Sequence, residues 1–280
     1  MVIALVVPTL YILAGAIVCA MLHVLAAAAT RRPDRSALLA FAVMGLFGAL
    51  AAIFSAQSLQ AVNDAQFLRA LKLNIDCNIA ATWWLAVFIA LYVGHRGRRA
   101  RVLLGAYGAA CVLLLAANEV LPYGIQYRRF GGISSLRLPW GETVTRGTGQ
   151  SGLPTLFGVL LLYGVMGYAL TALWRHYRRT RTPGARWLFI AQACFVPLAV
   201  LGLLMRLALL RGVEPGPLGL LLMVAAMSAA LMWERQHALQ QSEQRYRVLF
   251  ERAPAAMLAV EVGSGRIVQS NAVAGALSGY

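Results

Sequence analysis

Seven apolar runs, each long enough to cross a bilayer, constrain this chain more than any other feature of its sequence. A backbone inside lipid finds no water for its polar groups, so each run has to satisfy its own hydrogen bonds as a helix. The composition agrees, because 60% of the residues are hydrophobic and only 12% are charged. We therefore expect an all-α polytopic membrane bundle, with seven transmembrane helices near 3–29, 36–59, 75–94, 102–121, 153–174, 187–210 and 218–233.

The basic residues between these runs predict the orientation of the chain in the membrane. The short first, third and fifth connections carry most of the arginines, whereas the second and sixth hold few basic residues. The fourth connection is long, and long loops weigh less in this rule. The arginine-rich connections are therefore expected in the cytoplasm, which places the N-terminus outside and the C-terminus inside.

The remaining composition argues against several other classes of protein. The net charge of +15 at pH 7 comes from short clusters between the runs. Aromatic residues are not interleaved with these clusters in a way that suggests base stacking, so nucleic acid is not an expected partner. Cys19, Cys77, Cys111 and Cys194 lie inside apolar runs without a metal-ligand spacing, and we expect neither a disulfide nor a metal site. No P-loop, HExxH, GxSxG or Rossmann motif is present in the sequence, so no catalytic residue is assigned.

Polar residues near the outer ends of the spans are the candidate ligand-sensing residues. The fourth connection carries Leu-Pro-Trp-Gly-Glu at 138–142, and its length and composition suit an ordered cap over a cleft between helix ends. A small molecule is the expected ligand of such a cleft. The same side chains could instead form ordinary pairs between helices, and two carboxylates without His or Cys are a weak metal signal. The candidates are Asp76, Asn118, Glu119, Trp140, Glu142 and Arg206.

The last apolar run passes into a polar segment with no Gly or Pro between them. Both parts are rich in good helix formers, so one helix is predicted from 218 to 249, able to carry a rotation, tilt or piston shift. Apolar residues seven apart favour a short parallel coiled coil and a homodimer, with an exposed monomeric linker as the alternative. The candidate signal-relay residues are Trp233, Leu239, Tyr246 and Leu249.

The C-terminal residues 245–280 resemble the first part of a PAS domain. Residues 246–254 are similar to its first helix, 257–260 to its first strand, and Gly263 to Gly265 to its hairpin turn. Asn271 is similar to the asparagine that begins a short helix, where its side chain can accept a backbone N–H. The resemblance covers about a third of such a domain, so it implies an incomplete pocket, no cofactor in this fragment and a chain that continues past Tyr280.

The seven spans and the Leu-Pro-Trp-Gly-Glu sequence together are similar to the membrane sensor region of bacterial histidine kinases and diguanylate cyclases. The resemblance implies a sensory region at 1–233, a linker helix at 234–249 and a truncated PAS domain at 245–280, in the bacterial inner membrane. It implies a receptor that relays a signal to a missing C-terminal output module, with a histidine kinase of a two-component phosphorelay expected first. The alternatives are a diguanylate cyclase or phosphodiesterase sensor and, in a different class, a small-solute transporter or channel.

Overall fold

A computed structural model describes residues 5–29, 35–95, 97–206 and 215–279 of the chain. Within helices the side chains of a few of these residues are also outside the description, and Arg206 and Leu239 are among them. The chain divides into two compact units, one up to Ala229 and one from Ala230 onwards. The elements are α1 Val6–Ala29, α2 Arg35–Leu59, α3 Asp64–Val93, α4 Arg98–Val120, β1 Tyr127–Arg137, β2 Thr143–Ser151, α5 Leu153–Thr180, α6 Pro183–Arg206, α7 Gly216–Glu251, β3 Leu258–Val260, β4 Ile267–Ser270 and α8 Ala272–Ser278.

Helices α1 to α7 are each long and apolar enough to cross a membrane, which confirms the seven predicted spans. In α7 the apolar segment is Gly216–Trp233, and the helix then continues without interruption to Glu251. The predicted continuity from bilayer segment to polar segment is therefore confirmed. The chain is a multi-pass membrane protein.

The third helix begins well before the predicted span, at Asp64 instead of residue 75. Asn63 has an extended backbone, and its side chain accepts the N–H of Gln66 over 2.8 Å, which caps the first turn. Gly94 ends the helix in the left-handed conformation, with φ of 79°. Asp76 consequently lies inside α3, several turns after the cap.

Small residues allow close packing around α2 in the first unit. A side chain at Gly45 would collide with Met21 of α1, and one at Gly48 would come within 3.4 Å of Leu220 of α7. The two glycines Gly164 and Gly167 of α5 differ from these, because among the described residues nothing outside the backbone of α5 itself lies within 4 Å of the place where their β-carbons would be.

The fourth connection forms an antiparallel hairpin from β1 and β2, with Ile133 opposite Gly147 and Arg137 opposite Thr143. The backbone N–H of Leu138 donates to the carbonyl of Glu142 over 2.8 Å and closes the turn. The prediction of an ordered segment is confirmed, but the sequence analysis did not predict strands. The reason is composition, since Gly, Ser, Thr and Arg replace the apolar alternation that normally marks a strand.

The second unit contains the polar part of α7, the β3–β4 hairpin and α8. Asn271 is 1% exposed and accepts the N–H groups of Ala274 and Met257, each over 3.0 Å. Its amide donates to the carbonyls of Phe250 over 3.0 Å and Ala255 over 2.9 Å. The predicted helix cap at Asn271 is confirmed, and the same side chain also joins α7, the following loop and β3.

Candidate functional site

Three parts of the chain that are far apart in sequence meet at one end of the first unit, here called the capped end. The hydroxyl of Thr145 in β2 donates to the carbonyl of Ala61 between α2 and α3, over 2.8 Å. The N–H of Ile133 in β1 donates to the Asp64 carboxylate over 3.1 Å. The hairpin is therefore attached to the start of α3. The second and fourth connections, which the charge pattern predicts on the same side of the membrane, thus lie next to each other.

The hairpin also packs against α3 through aromatic rings. Phe67 stacks on Phe130 with ring centroids 6.0 Å apart. At Gly147 a β-carbon would come within 2.5 Å of the Phe67 ring and 2.8 Å of the Tyr127 hydroxyl. Real β-carbons do not approach other atoms so closely. The hairpin can therefore pack against α3 in this way only with a glycine at position 147.

Glu142 connects the hairpin turn to the first transmembrane helix. One carboxylate oxygen accepts the backbone N–H of Leu5 over 2.9 Å, that of Val6 over 3.1 Å and the indole N–H of Trp140 over 2.8 Å. The first N–H groups of a helix have no partner within the helix, and a carboxylate is favoured there by the helix dipole. Glu142 therefore caps α1 from a distant part of the chain.

The electrostatics of Glu142 agree with this role. Burial by itself would raise the pKa of the carboxyl, but the indole of Trp140 and the backbone N–H groups of Leu5, Val6 and Val7 lower it by more. The pKa of Glu142 consequently lies below its ordinary value of 4.5, and the group is ionised at neutral pH. Its partners are all from the chain itself, whereas the Trp140 ring remains 45% exposed.

Asn118 is the centre of a second group of contacts at the capped end. It is fully buried, at 0% exposed, and its amide donates to Asp76 over 2.9 Å and to the carbonyl of Lys72 over 3.0 Å. Its oxygen accepts the N–H of Ile125 over 3.0 Å. Asn118 thus joins α3, α4 and the segment that leads to the hairpin.

Lys72, the one lysine of the sequence, completes this group. Its ammonium donates to the carbonyl of Leu121 over 2.8 Å and to that of Glu119 over 3.3 Å, so it caps the C-terminal end of α4. The exposed side chain of Glu119 lies close enough to the half-buried Asp76 carboxyl for the two groups to interact electrostatically. Two carboxyl groups on neighbouring helices therefore face each other beside a lysine.

The structure brings the candidate sensing residues together in two groups instead of one. Asp76, Asn118 and Glu119 form the first group, and Trp140 and Glu142 form the second. The side chain of Arg206 lies outside the described residues. Sequence reasoning missed Lys72 and the backbone of Leu5 as members of these groups, and an isolated lysine close to a predicted span was the only available signal for the first.

The relay residues lie in the second unit. The Trp233 and His237 rings are 3.9 Å apart between centroids, and the His237 Nδ1 is 3.2 Å from the Trp233 carbonyl oxygen. Tyr246 and Leu249 are 57% and 73% exposed, and the Leu239 side chain lies outside the described residues. Among the described residues, no group of three or more His, Cys, Asp or Glu side chains is arranged to hold a metal ion.

Comparison with known protein families identifies the membrane part of the chain. Residues 11–239 match the family described as the N-terminal 7TM region of histidine kinase. No curated protein matches the chain. The matched segment begins inside α1 and ends inside the polar part of α7, so it includes the passage from the apolar to the polar part of that helix.

Proposed function

Because the chain belongs to the family of N-terminal seven-transmembrane regions of histidine kinases, we propose that it relays an extracytoplasmic or membrane signal to a cytoplasmic histidine kinase module. The observation that carries this proposal is α7, a single helix of 36 residues whose apolar segment ends at Trp233 and whose polar part continues to Glu251. Such a helix is about 54 Å long, which exceeds the roughly 30 Å of the hydrocarbon core. Movement of its membrane segment is thereby passed to whatever follows it.

The proposed orientation places the capped end outside the cell and the arginine-rich end in the cytoplasm. Arginine-rich short connections favour the cytoplasmic side. Among the described residues of the first unit, the acidic side chains lie at the capped end: Asp64, Asp76, Glu119 and Glu142. The arginines of the short first, third and fifth connections therefore support an N-terminus outside and a C-terminus inside.

We assign sensing to the capped end, with a small molecule as the stimulus. Asp76 and Glu119 belong to different helices, so a ligand or proton that changes their mutual repulsion changes the α3–α4 contact. The exposed ring of Trp140 offers an apolar surface next to the fixed carboxylate of Glu142. Arg206 is retained as a candidate on its sequence position alone.

A homodimer and a PAS domain belong to the same proposal. The exposed apolar side chains of Tyr246 and Leu249 on α7 support pairing of two copies through the linker helix. The β3–β4 hairpin followed by the Asn271-capped helix supports a PAS-like start at 245–280. The PAS domain would then lie between the linker helix and the kinase module.

The test measures phosphohistidine on the natural gene product in isolated membranes supplied with labelled ATP. The proposal predicts acid-labile phosphate on this protein, at a level that changes in the Asp76→Asn or Glu119→Gln variant. Synthesis of a cyclic dinucleotide in place of phosphohistidine would support the cyclase alternative. Solute flux in vesicles containing the chain, without phosphorylation of the natural product, would support a transporter or channel and contradict the receptor.

A further inference from the structure

The corner between α5 and α6 combines exposed arginines with exposed aromatic rings. The corner is defined here by Arg178, Arg179, Arg181 and Arg186, all of which are exposed. Trp174 and Trp187, on the two helices beside it, are 44% and 51% exposed. This combination of aromatic rings and cations is typical of the level at which lipid headgroups lie.

The aromatic rings form a connected group that fixes the depth of the corner in the membrane. Trp174 lies 5.2 Å from Phe189 across the two helices and 6.0 Å from Tyr177, measured between ring centroids. The Arg181 guanidinium is 5.8 Å from the centre of the Tyr177 ring. Because Trp and Tyr favour the boundary between hydrocarbon and headgroups, the arginines one or two turns beyond Trp174 are placed among the headgroup phosphates.

The length of α5 independently places the corner at the same depth in the membrane. The segment 153–174 has a length of about 33 Å at 1.5 Å per residue, close to the roughly 30 Å of the hydrocarbon core. Arg178, Arg179 and Arg181 follow that segment within two helical turns, and Arg186 lies in the first turn of α6. They therefore lie in the headgroup layer whichever leaflet they face.

Among the described residues, no acidic side chain lies beside the arginines of the corner. The four acidic side chains that the structure describes in the first unit are at the capped end, and neither α5 nor α6 has an acidic residue in its first turn. Arg178 and Arg179 suit the negative C-terminal end of α5, but Arg186 lies in the first turn of α6, where the helix dipole disfavours a cation. A bound anion would remove that unfavourable interaction.

We propose that the α5–α6 corner binds the headgroup of an anionic phospholipid, with the lipid phosphate among the four arginines and the acyl chains against Trp174 and Trp187. Arginine is suited to this because its planar guanidinium bonds phosphate through two N–H groups. The lipid is a membrane component and reaches the corner by lateral diffusion. Its binding adds an interaction that the sensory function does not itself require.

The experiment uses tryptophan quenching in vesicles that contain the whole 280-residue chain. Phosphatidylglycerol or phosphatidylcholine carries bromine on its acyl chains, and the ratio of quenching gives the relative binding of the two lipids. We expect a preference for phosphatidylglycerol of about fivefold or more, since one basic residue near an anionic surface contributes about that factor. The preference should fall to about twofold or less in the R178Q/R179Q variant and in wild-type protein at 1 M salt, where screening is strong.

The matched control is R128Q/R129Q, which removes the same charge from exposed positions of the capped end. It should keep the wild-type preference. Equal quenching by both lipids in the wild type, or an equal loss in the two double variants, would overturn the proposal. Replacement of chloride by inorganic phosphate at constant ionic strength should leave the preference unchanged, and its disappearance there would show a site for free phosphate instead.

Discussion

The carboxylate of Glu142 accepts the backbone N–H of Leu5 over 2.9 Å, across 137 residues of sequence. This bond joins the turn of the β1–β2 hairpin to the first turn of α1. It attaches the hairpin to α1, in addition to the packing of the hairpin against α3. Displacement of the hairpin would therefore act on α1 and α3 together.

Substitution of Glu142 should loosen the start of α1. Glu142→Ala removes all three accepted hydrogen bonds, and loss of a helix cap costs about 0.5–2 kcal/mol. We expect a lower unfolding temperature in detergent and faster amide exchange at Leu5 and Val6. The control is Glu261→Ala in the second unit, since among the described residues its carboxylate accepts the exposed Ser264 hydroxyl alone. Unchanged exchange at Val6 in the Glu142 variant would show that the cap does not hold α1.

The same cap should weaken in acid. The pKa of Glu142 is lowered in the folded protein, so its contribution to stability is complete above the ordinary value of 4.5 and is lost as the pH falls through the folded pKa. The stability difference between wild type and Glu142→Gln should accordingly shrink as the pH is lowered below 4.5. Thermal unfolding from pH 7 to pH 3 measures this difference. A difference that grows in acid would contradict the assignment.

Replacement of Asn118 should destabilise the first unit strongly. Asn118→Ala leaves the buried Ile125 N–H without its acceptor and removes the donor to Asp76, and an unsatisfied buried group costs about 1–3 kcal/mol. Asn118→Asp should be worse, because it adds a further carboxylate beside Asp76 and Glu119. Asn78→Ala is the control, since within the part of the chain that the structure describes its amide donates to Asn74 of its own helix and to no other residue. Equal unfolding temperatures for the Asn118 and Asn78 variants would contradict this account.

Two glycines of α4 should respond oppositely to alanine. At Gly108 a β-carbon would come within 2.8 Å of the Trp83 ring, whereas at Gly105 no described residue outside the backbone of α4 comes within 4 Å. Gly108→Ala should destabilise by about 1–3 kcal/mol through overpacking. Gly105→Ala should be neutral or stabilise by up to about 1 kcal/mol through helix propensity. The unfolding temperatures of the two variants test this, and equal values would show that Trp83 does not pack on α4 at Gly108.

The sequence predicts the parts of this fold that depend on local properties. Apolar length alone predicts the seven spans, and the lack of Gly or Pro after Trp233 predicts the unbroken α7. The start of α3 was predicted too late because Gln66, Arg69 and Lys72 lower the hydropathy of its first turns. The asparagine cap at Asn63 was the signal that marks its real beginning.

The site depends on contacts between distant residues, and the sequence predicts it less well. Asp76, Asn118 and Glu119 are predictable as a group because alternating spans bring the end of α4 beside the first half of α3. The partner of Glu142 is not predictable, since it is the backbone of Leu5 and backbone groups carry no sequence signature. The hairpin that carries Glu142 also lacks the usual pattern of a strand.

In the proposed relay, α7 transmits movement because it is one continuous helix. Insertion of two glycines after Glu234 tests this in the natural gene product, with phosphohistidine as the readout and membrane fractionation as the control for insertion. The account predicts full membrane insertion and a phosphorylation level that no longer responds to the stimulus or to Glu119→Gln. A seven-residue helical insertion at the same place nearly preserves the helical phase and should keep the response. A normal response in the glycine variant would contradict the claim.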